Sequence, residues 1–319
     1  MELMYAHQVG FNQIRKEKFD FFITASGYEV RSTYLMNNVE IDAGKKIFIG
    51  FHEKKGVHER KKNDEAFRLA GFENIEISYS EGGRVYRIID DLCKSTDKNN
   101  LRFLIDYSCM SKTWYASMIK YFIDNESIGK NFEIFFSYSP AVFSEPREGR
   151  KRKYLSPPSG LLKPNKSPVK PVALVLGLGY EKMLGESFLN KIKYDSLYVF
   201  YSNPAFDNRY VAKIMENNEQ ILKKISPEKI FTYPVEDLKK TDSVLTSLCL
   251  ELRLSHHIAL LSVGPKPFTL SCLLLAARYP DIEVWDVKTE KEVAVYERFP
   301  SGEPLVCKAV FSNDENEFL

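Results

Sequence analysis

No stretch of this sequence stays apolar for long. Predominantly apolar runs such as 258–263 and 270–277 fall far short of the ~20 residues that a bilayer-spanning helix needs, so no membrane span is expected. The first residues, Met1-Glu2-Leu3-Met4-Tyr5-Ala6-His7-Gln8, hold neither a basic patch nor a continuous apolar stretch. No secretion signal is expected there, and a cytoplasmic location follows. Cysteine is sparse: the five, at 93, 109, 249, 272 and 307, include no Cys-x-x-Cys spacing, which speaks against a disulfide framework or a zinc knuckle. An excess of one charge is missing too. The formal net charge of +2 is too small to imply nucleic-acid binding by itself. Histidines show no metal-ligand spacing: His52 and His58 lie in a polar stretch with Glu53 and Glu59, and His256-His257 precede a strand. They read as surface residues, and neither a metal nor a cofactor is expected.

What is present is the composition of a globular protein, 44% hydrophobic and 28% charged. A chain of 319 residues suggests two domains. Between 144 and 171 the sequence carries prolines at 146, 157, 158, 164, 168 and 171. Proline removes backbone donors and opposes helix, so this stretch reads as a connector between a first domain, 1–143, and a second, 172–319. The connector also holds Arg147, Arg150, Lys151, Arg152 and Lys153. This basic run reads as a solvated linker, with contact to a nucleic acid or protein partner as the alternative.

Strand-like and helix-like spacings alternate in both halves. In the first, strands are expected at 19–25, 46–51, 75–79, 103–106 and 132–137, with helices at 28–39, 64–70, 84–93 and 111–123. In the second, strands are expected at 172–176, 197–201, 229–233, 258–263 and 282–287, with helices at 180–192, 210–223, 242–252 and 269–278. The implied fold class is α/β, with two tandem Rossmann-like, doubly wound, mostly parallel sheets. Gly27-Tyr28-Glu29 returns as Gly179-Tyr180-Glu181, each after the first strand of its half, so an internal duplication is the economical explanation.

Right-handed crossovers of such repeats give the strand order 3-2-1-4-5, with a ligand crevice where the order reverses between strands one and four. That places Ser26, Gly27, Tyr28 and Glu29 beside Asp106, Ser108 and Met110. In the second half it places Gly177, Gly179, Tyr180 and Glu181 beside Ser262, Gly264 and Lys266. Glycines allow close backbone approach, and free amides at a helix start favour an anion such as a phosphate. The dinucleotide fingerprint is incomplete, because position 182 is Lys. Glu29 and Glu181 either complement a helix start, or accept ribose hydroxyls, or hold Arg31 or Lys266 toward a ligand. Asp106 and Ser108 either bind a ligand or belong to the cap of the next helix, through Ser108 or Ser111. Lys266 in Gly264-Pro265-Lys266 either reaches an anion or sits in a stiff structural turn.

The leading reading is a nucleotide-binding sensor that acts through a partner. Two alternatives stand beside it. One is a metal-dependent enzyme on a phosphodiester, with Glu29, Asp106 or Glu181 as acid, base or ligand. The other is a non-catalytic scaffold. Cys109 as a nucleophile near His52 is a further, weaker possibility.

The run from Ser262 through Gly264, Pro265 and Lys266 into the apolar stretch ending at Ala277 resembles the glycine-lysine turn and apolar helix of CRISPR-associated Rossmann-fold sensor domains (CARF domains). Asp106-Tyr107-Ser108 resembles their acid-x-hydroxyl variant. The likeness spans roughly residues 18–290. Such domains bind cyclic oligoadenylates or related second messengers between two copies, and related antiphage sensors fuse two copies in one chain. The resemblance therefore implies ligand contacts from Asp106, Ser108, Gly264 and Lys266, with Ser26 and Gly179 from the first turns. Gly264-Pro265 departs from the usual Gly-Gly-Thr-Lys turn and removes a donor amide.

Overall fold

The computed structural model describes residues 1–125, 129–146, 154–156, 170–181, 189, 193–288 and 297–313. Its strands, in chain order, are β1 (Glu2–Val9), β2 (Lys18–Ser26), β3 (Asp42–Phe51), β4 (Glu73–Ile77), β5 (Asn100–Asp106), β6 (Asn131–Tyr138), β7 (Tyr154–Ser156), β8 (Val172–Gly177), β9 (Ser196–Ser202), β10 (Ile230–Tyr233), β11 (His257–Ser262), β12 (Glu283–Lys288) and β13 (Leu305–Ser312). The described α-helices are α1 (Tyr34–Asn38), α2 (Arg60–Leu69), α3 (Gly82–Lys94), α4 (Lys112–Asp124), α5 (Asn208–Asn217), α6 (Glu219–Leu222), α7 (Leu238–Leu252) and α8 (Lys266–Arg278). No described helix is long and apolar enough to cross a membrane. The chain divides into two compact units, Met1–Val142 with Tyr296–Leu319, and Phe143–Val295.

The first unit carries a seven-stranded sheet in the order β1-β13-β6-β5-β2-β3-β4. Its parallel part, β4-β3-β2-β5-β6, has the expected 3-2-1-4-5 order. The alternation of side chains along each strand sends one set of aromatics to each face. On one face Phe67 of α2 stacks on Phe48 at 5.2 Å; on the other Phe122 of α4 meets Phe103 at 5.3 Å. Each buried ring contributes about 1.5–3 kcal/mol. Helix α3 packs beside α4 through Tyr86 and Tyr121, 5.1 Å apart.

The second unit carries a sheet in the order β10-β9-β8-β11-β12-β7, again 3-2-1-4-5 in its parallel strands. Ile214 of α5 and Ile221 of α6 bury against Leu174, Leu176, Val199 and Leu261. On the other face Phe268 of α8 stacks on Tyr233 at 4.7 Å. Short polar side chains cap three of the described helices. Ser111 Oγ accepts from Trp114 N at 3.3 Å, Asp207 Oδ1 from Arg209 N at 2.9 Å, and Asp237 Oδ1 from Lys240 N at 2.8 Å.

Several expectations need correction. Residues 28–39 do not form one helix: Glu29 is extended, Val30–Thr33 make a 3-10 turn, and only Tyr34–Asn38 is α-helical. The backbone just before this segment is held by a local side chain instead. Ser32 Oγ accepts from Gly27 N at 3.0 Å and donates to Ala25 O at 2.8 Å. The helix expected at 210–223 is interrupted at Asn218. Three strands were not anticipated. β7 lies within the expected connector and pairs antiparallel with β12; β1 and β13 form the antiparallel edge of the first sheet. β13, expected with the second half, is hydrogen-bonded between β1 and β6 of the first sheet. Most of the expected helix 180–192 and the whole basic run 147–153 lie outside the described residues.

Candidate functional site

The strand order reverses between β2 and β5 in the first unit, and the turns after these strands do meet. An ideal Cβ on Gly27 would stand 2.9 Å from Cys109 Cβ, so the absence of a side chain at 27 lets the turns touch. Glu29 and Arg31 then join them from within. Arg31 is 1% exposed. Its Nε donates to Glu29 Oε2 at 2.5 Å, Nη1 to Ser139 O at 2.7 Å and Nη2 to Ser108 O at 3.2 Å. The guanidinium also lies 5.4 Å from the centre of the Tyr138 ring, a cation–π distance. Burial works against this charge, but the Glu29 carboxylate overrides it and holds the pKa well above the ordinary arginine value. Arg31 therefore ties the ends of β2, β5 and β6 together, and Glu29 holds it inward.

Asp106 and Ser108 form a second hydrogen-bonded network. Asp106 Oδ1 accepts from Ser108 N at 3.0 Å and from Ser108 Oγ at 2.5 Å, while Ser108 Oγ accepts from Ser139 N at 2.7 Å. Both residues are buried. The cap of α4 comes from Ser111. A substrate or metal approaching Asp106 Oδ1 would have to displace Ser108. Ser26 is buried at the end of β2. Cys109 is the half-exposed cysteine, the other four being buried, and its Sγ lies 4.0 Å from Glu29 Oε2. His52 instead lies beside Glu76, whose carboxyl Lys55 chiefly holds below its usual range. Tyr28 is largely buried, which pushes its phenol up; Glu29 adds to the shift and the nearby Arg298 opposes it.

In the second unit the order reverses between β8 and β11, and backbone closes the junction. An ideal Cβ on Gly179 would stand 2.4 Å from Val263 O, and one on Gly264 would stand 2.6 Å from Leu178 O. The two turns also share a hydrogen bond from Val263 N to Gly177 O, 2.9 Å. Ser262 Oγ is 2.8 Å from Thr269 Oγ1. Glu181 is half-buried, and Lys266 is the half-buried first residue of α8.

Some residues of both junctions escaped sequence reasoning. The carbonyls of the repeated turn are gripped by asparagines. Asn63 Nδ2 donates to Gly27 O and Glu29 O, both at 2.9 Å. In the second unit Asn218 Nδ2 donates to Gly179 O at 2.9 Å and Asn217 Nδ2 to Tyr180 O at 2.6 Å. Lys112 also escaped notice, although a signal for it existed: Ser108 and Lys112 have the spacing of Ser262 and Lys266. Each lysine is the half-buried first residue of the helix after the fourth parallel strand.

The chain matches no protein-family model and no curated protein. Among the described residues no group of three or more His, Cys, Asp or Glu side chains is placed to hold a metal ion. At the opposite, N-terminal edge of the first sheet lies a charged cleft with a different character. Lys98 pairs with Asp20 at 2.5 Å, Lys45 with Glu73 at 3.0 Å, and Arg102 with Glu17 and Glu133 at 3.1 and 2.8 Å. Mutual pairing accounts for these charges.

Proposed function

We propose that this protein is a cytoplasmic sensor of a nucleotide-type second messenger, a cyclic oligonucleotide by the resemblance to CARF domains, bound at the switch-point junctions and read out through a partner. The same resemblance suggests a role in antiphage defence. The observation that carries the reading is the pair of lysines, Lys112 and Lys266, each opening the helix that follows the fourth parallel strand. A cation there faces the positive end of the helix dipole, which is unfavourable by itself. A bound phosphate reverses that balance by offsetting the lysine's charge and the helix's positive end together. The repeated Gly-Tyr-Glu turn, the shared strand order and the asparagine grip on both turns support descent of the two units from one duplicated domain.

Thermal unfolding against a panel of cyclic and linear nucleotides tests the reading. A ligand at about 100 times its dissociation constant adds about 2.7 kcal/mol, enough to raise the midpoint by several degrees. Lys112→Ala and Lys266→Ala are expected to reduce that shift. If no nucleotide moves the midpoint, or if both variants respond as the unaltered protein does, the reading is wrong.

A further inference from the structure

Arg60, the first residue of α2, is 0% exposed, and two of its guanidinium nitrogens are committed: Nε donates to Asp64 Oδ1 and Nη1 to Phe51 O, each at 2.7 Å. Those two bonds fix the plane of the group. Its third nitrogen, Nη2, is buried and meets no acceptor among the described residues. It lies over Gly50 of β3, where an ideal Cβ would stand only 2.2 Å from it, so the bare backbone at 50 makes room for the guanidinium. Gly50 is in register with Ser26 of β2, on a strand ~4.8 Å away, and residues in register project to the same face. Ser26 Oγ is buried there, and it too has no hydrogen-bond partner among the described residues. Two neighbouring buried donors left unmet are costly, so an acceptor from outside the fold is called for.

We propose that Arg60 Nη2 and Ser26 Oγ donate together to a phosphate oxygen bound at the C-terminal ends of β2 and β3. The inference rests on the sensor reading for the source of that phosphate, a nucleotide. It adds Arg60 to the site and gives Ser26 a defined partner. The carboxylates nearby do not oppose an anion, because each is matched by a cation: Asp64 by Arg60 itself, and Glu76, in register with Gly50 on its other side, by Lys55. The way in is the segment 52–59, exposed at His52, Glu53, Lys55, Gly56 and His58. Arg60 N holds it at Val57 O, 3.1 Å, and Glu59 N reaches Tyr28 O at 3.4 Å. That second bond joins the segment to the repeated turn, and Asn63 of the same helix holds Gly27 O and Glu29 O. A phosphate seated beneath the segment is thereby linked to the switch point.

Hydrogen exchange of the segment 52–60 reads the site locally. The probes are inorganic phosphate, AMP and adenosine. Phosphate and AMP should slow exchange at Glu59 and Arg60 in the unaltered protein, and adenosine, which carries no phosphate, should not. The half-protecting concentration should rise about tenfold in Ser26→Ala and in Arg60→Lys, the loss of about one charged hydrogen bond each. It should stay unchanged in Lys94→Ala, which removes an exposed charge elsewhere. Ser26→Ala deletes only a hydroxyl that the fold leaves unmet, so its unfolding midpoint without ligand should match that of the unaltered protein. That variant keeps the test decisive even where Arg60→Lys fails to fold. A Ser26→Ala protein that unfolds earlier, yet is protected as well as the unaltered one, means a buried water only and overturns the proposal. Equal half-protecting concentrations in all the proteins, or equal protection by adenosine, also overturn it. A nucleotide that raises the unfolding midpoint without protecting this segment overturns it and leaves the sensor reading standing. Protection by inorganic phosphate, with no nucleotide moving the midpoint, keeps the phosphate site and removes the sensor reading. If nothing protects the segment and no nucleotide moves the midpoint, both fall.

Discussion

The two units solve the same joint with different materials. Both must bring the turn after the first parallel strand against the turn after the fourth. In the first unit charged and hydroxyl side chains do this: Arg31 bridges Glu29, Ser108 O and Ser139 O, and Asp106 closes on Ser108. In the second, glycines let backbone touch backbone, with Gly179 against Val263 O and Gly264 against Leu178 O. One topology therefore does not imply one kind of surface. The polar joint gathers ionisable and nucleophilic side chains at the first junction, whereas at the second the ionisable residues of the turns, Lys266 and Glu181, are half-buried beside a joint made by backbone.

Removing the guanidinium is the strongest way to break this contrast. Arg31→Met would leave the Glu29 carboxylate and two carbonyls without their donor, and breaking a buried pair in this way costs about 3–5 kcal/mol. Hydrogen exchange should show faster exchange in β2, β5 and β6, with little change in β8 and β11. Uniform loss of protection in both sheets would mean that the staple is not local to its unit. The matching change in the second unit is Gly179→Ala, whose new methyl group would collide with the Val263 carbonyl. Overpacking against backbone costs about 1–3 kcal/mol. Gly27→Ala should cost less, because its nearest obstacle, Cys109 Cβ at 2.9 Å, stands farther off than the Val263 carbonyl oxygen at 2.4 Å. Denaturant midpoints in the order Gly179→Ala below Gly27→Ala would support the distinction, and the reverse order would remove it.

Smaller effects sharpen the comparison. Asp106→Asn keeps an acceptor for Ser108 but loses the charge that strengthens it, for about 1 kcal/mol of stability. The same denaturant midpoint reads this loss, and an unchanged midpoint would show that the Asp106 charge is not used in the fold. At the surface of the second unit, Arg253 hydrogen-bonds Asp281 through two contacts of 2.8 and 2.6 Å. That bond holds the Asp281 carboxyl below its ordinary value near 3.8. A depressed carboxylate contributes stability above the unfolded pKa and loses it as pH falls through the folded one. Asp281 is exposed and Arg253 half-buried, so solvent screens the pair and only tenths of a kcal/mol are at stake. The stability difference between the unaltered protein and Asp281→Asn should accordingly be small at pH 7 and vanish in acid, as pH-resolved unfolding would show.

Much of the parallel framework was legible in the sequence because it is local. Runs such as 103–106 and 258–263 carry their own signal, and the Gly-Tyr-Glu turn repeats in plain letters. The helix expected at 28–39 gives way partly for a tertiary reason: Asn63 of α2 holds Gly27 O and Glu29 O, beside the local grip of Ser32 on Gly27 N and Ala25 O. Arg31 was legible as a charge beside the junction, but its direction was not. Nothing in the letters around it shows that carbonyls at 108 and 139 would converge on its guanidinium. Lys112 was legible and missed, since its distance from Ser108 equals that of Lys266 from Ser262. Arg60 had no such signal.

By itself the sequence determined the alternation of strands and helices, the two-unit plan and the place of the switch turns, because periodic burial and turn chemistry act over a few residues. Only the tertiary structure decided that β13 crosses to the first sheet, that Arg31 turns inward and that Arg60 lies buried over Gly50. Those outcomes depend on contacts between residues far apart in the chain, where pairing geometry and the need to satisfy buried polar groups govern, and neither leaves a periodic mark in the sequence.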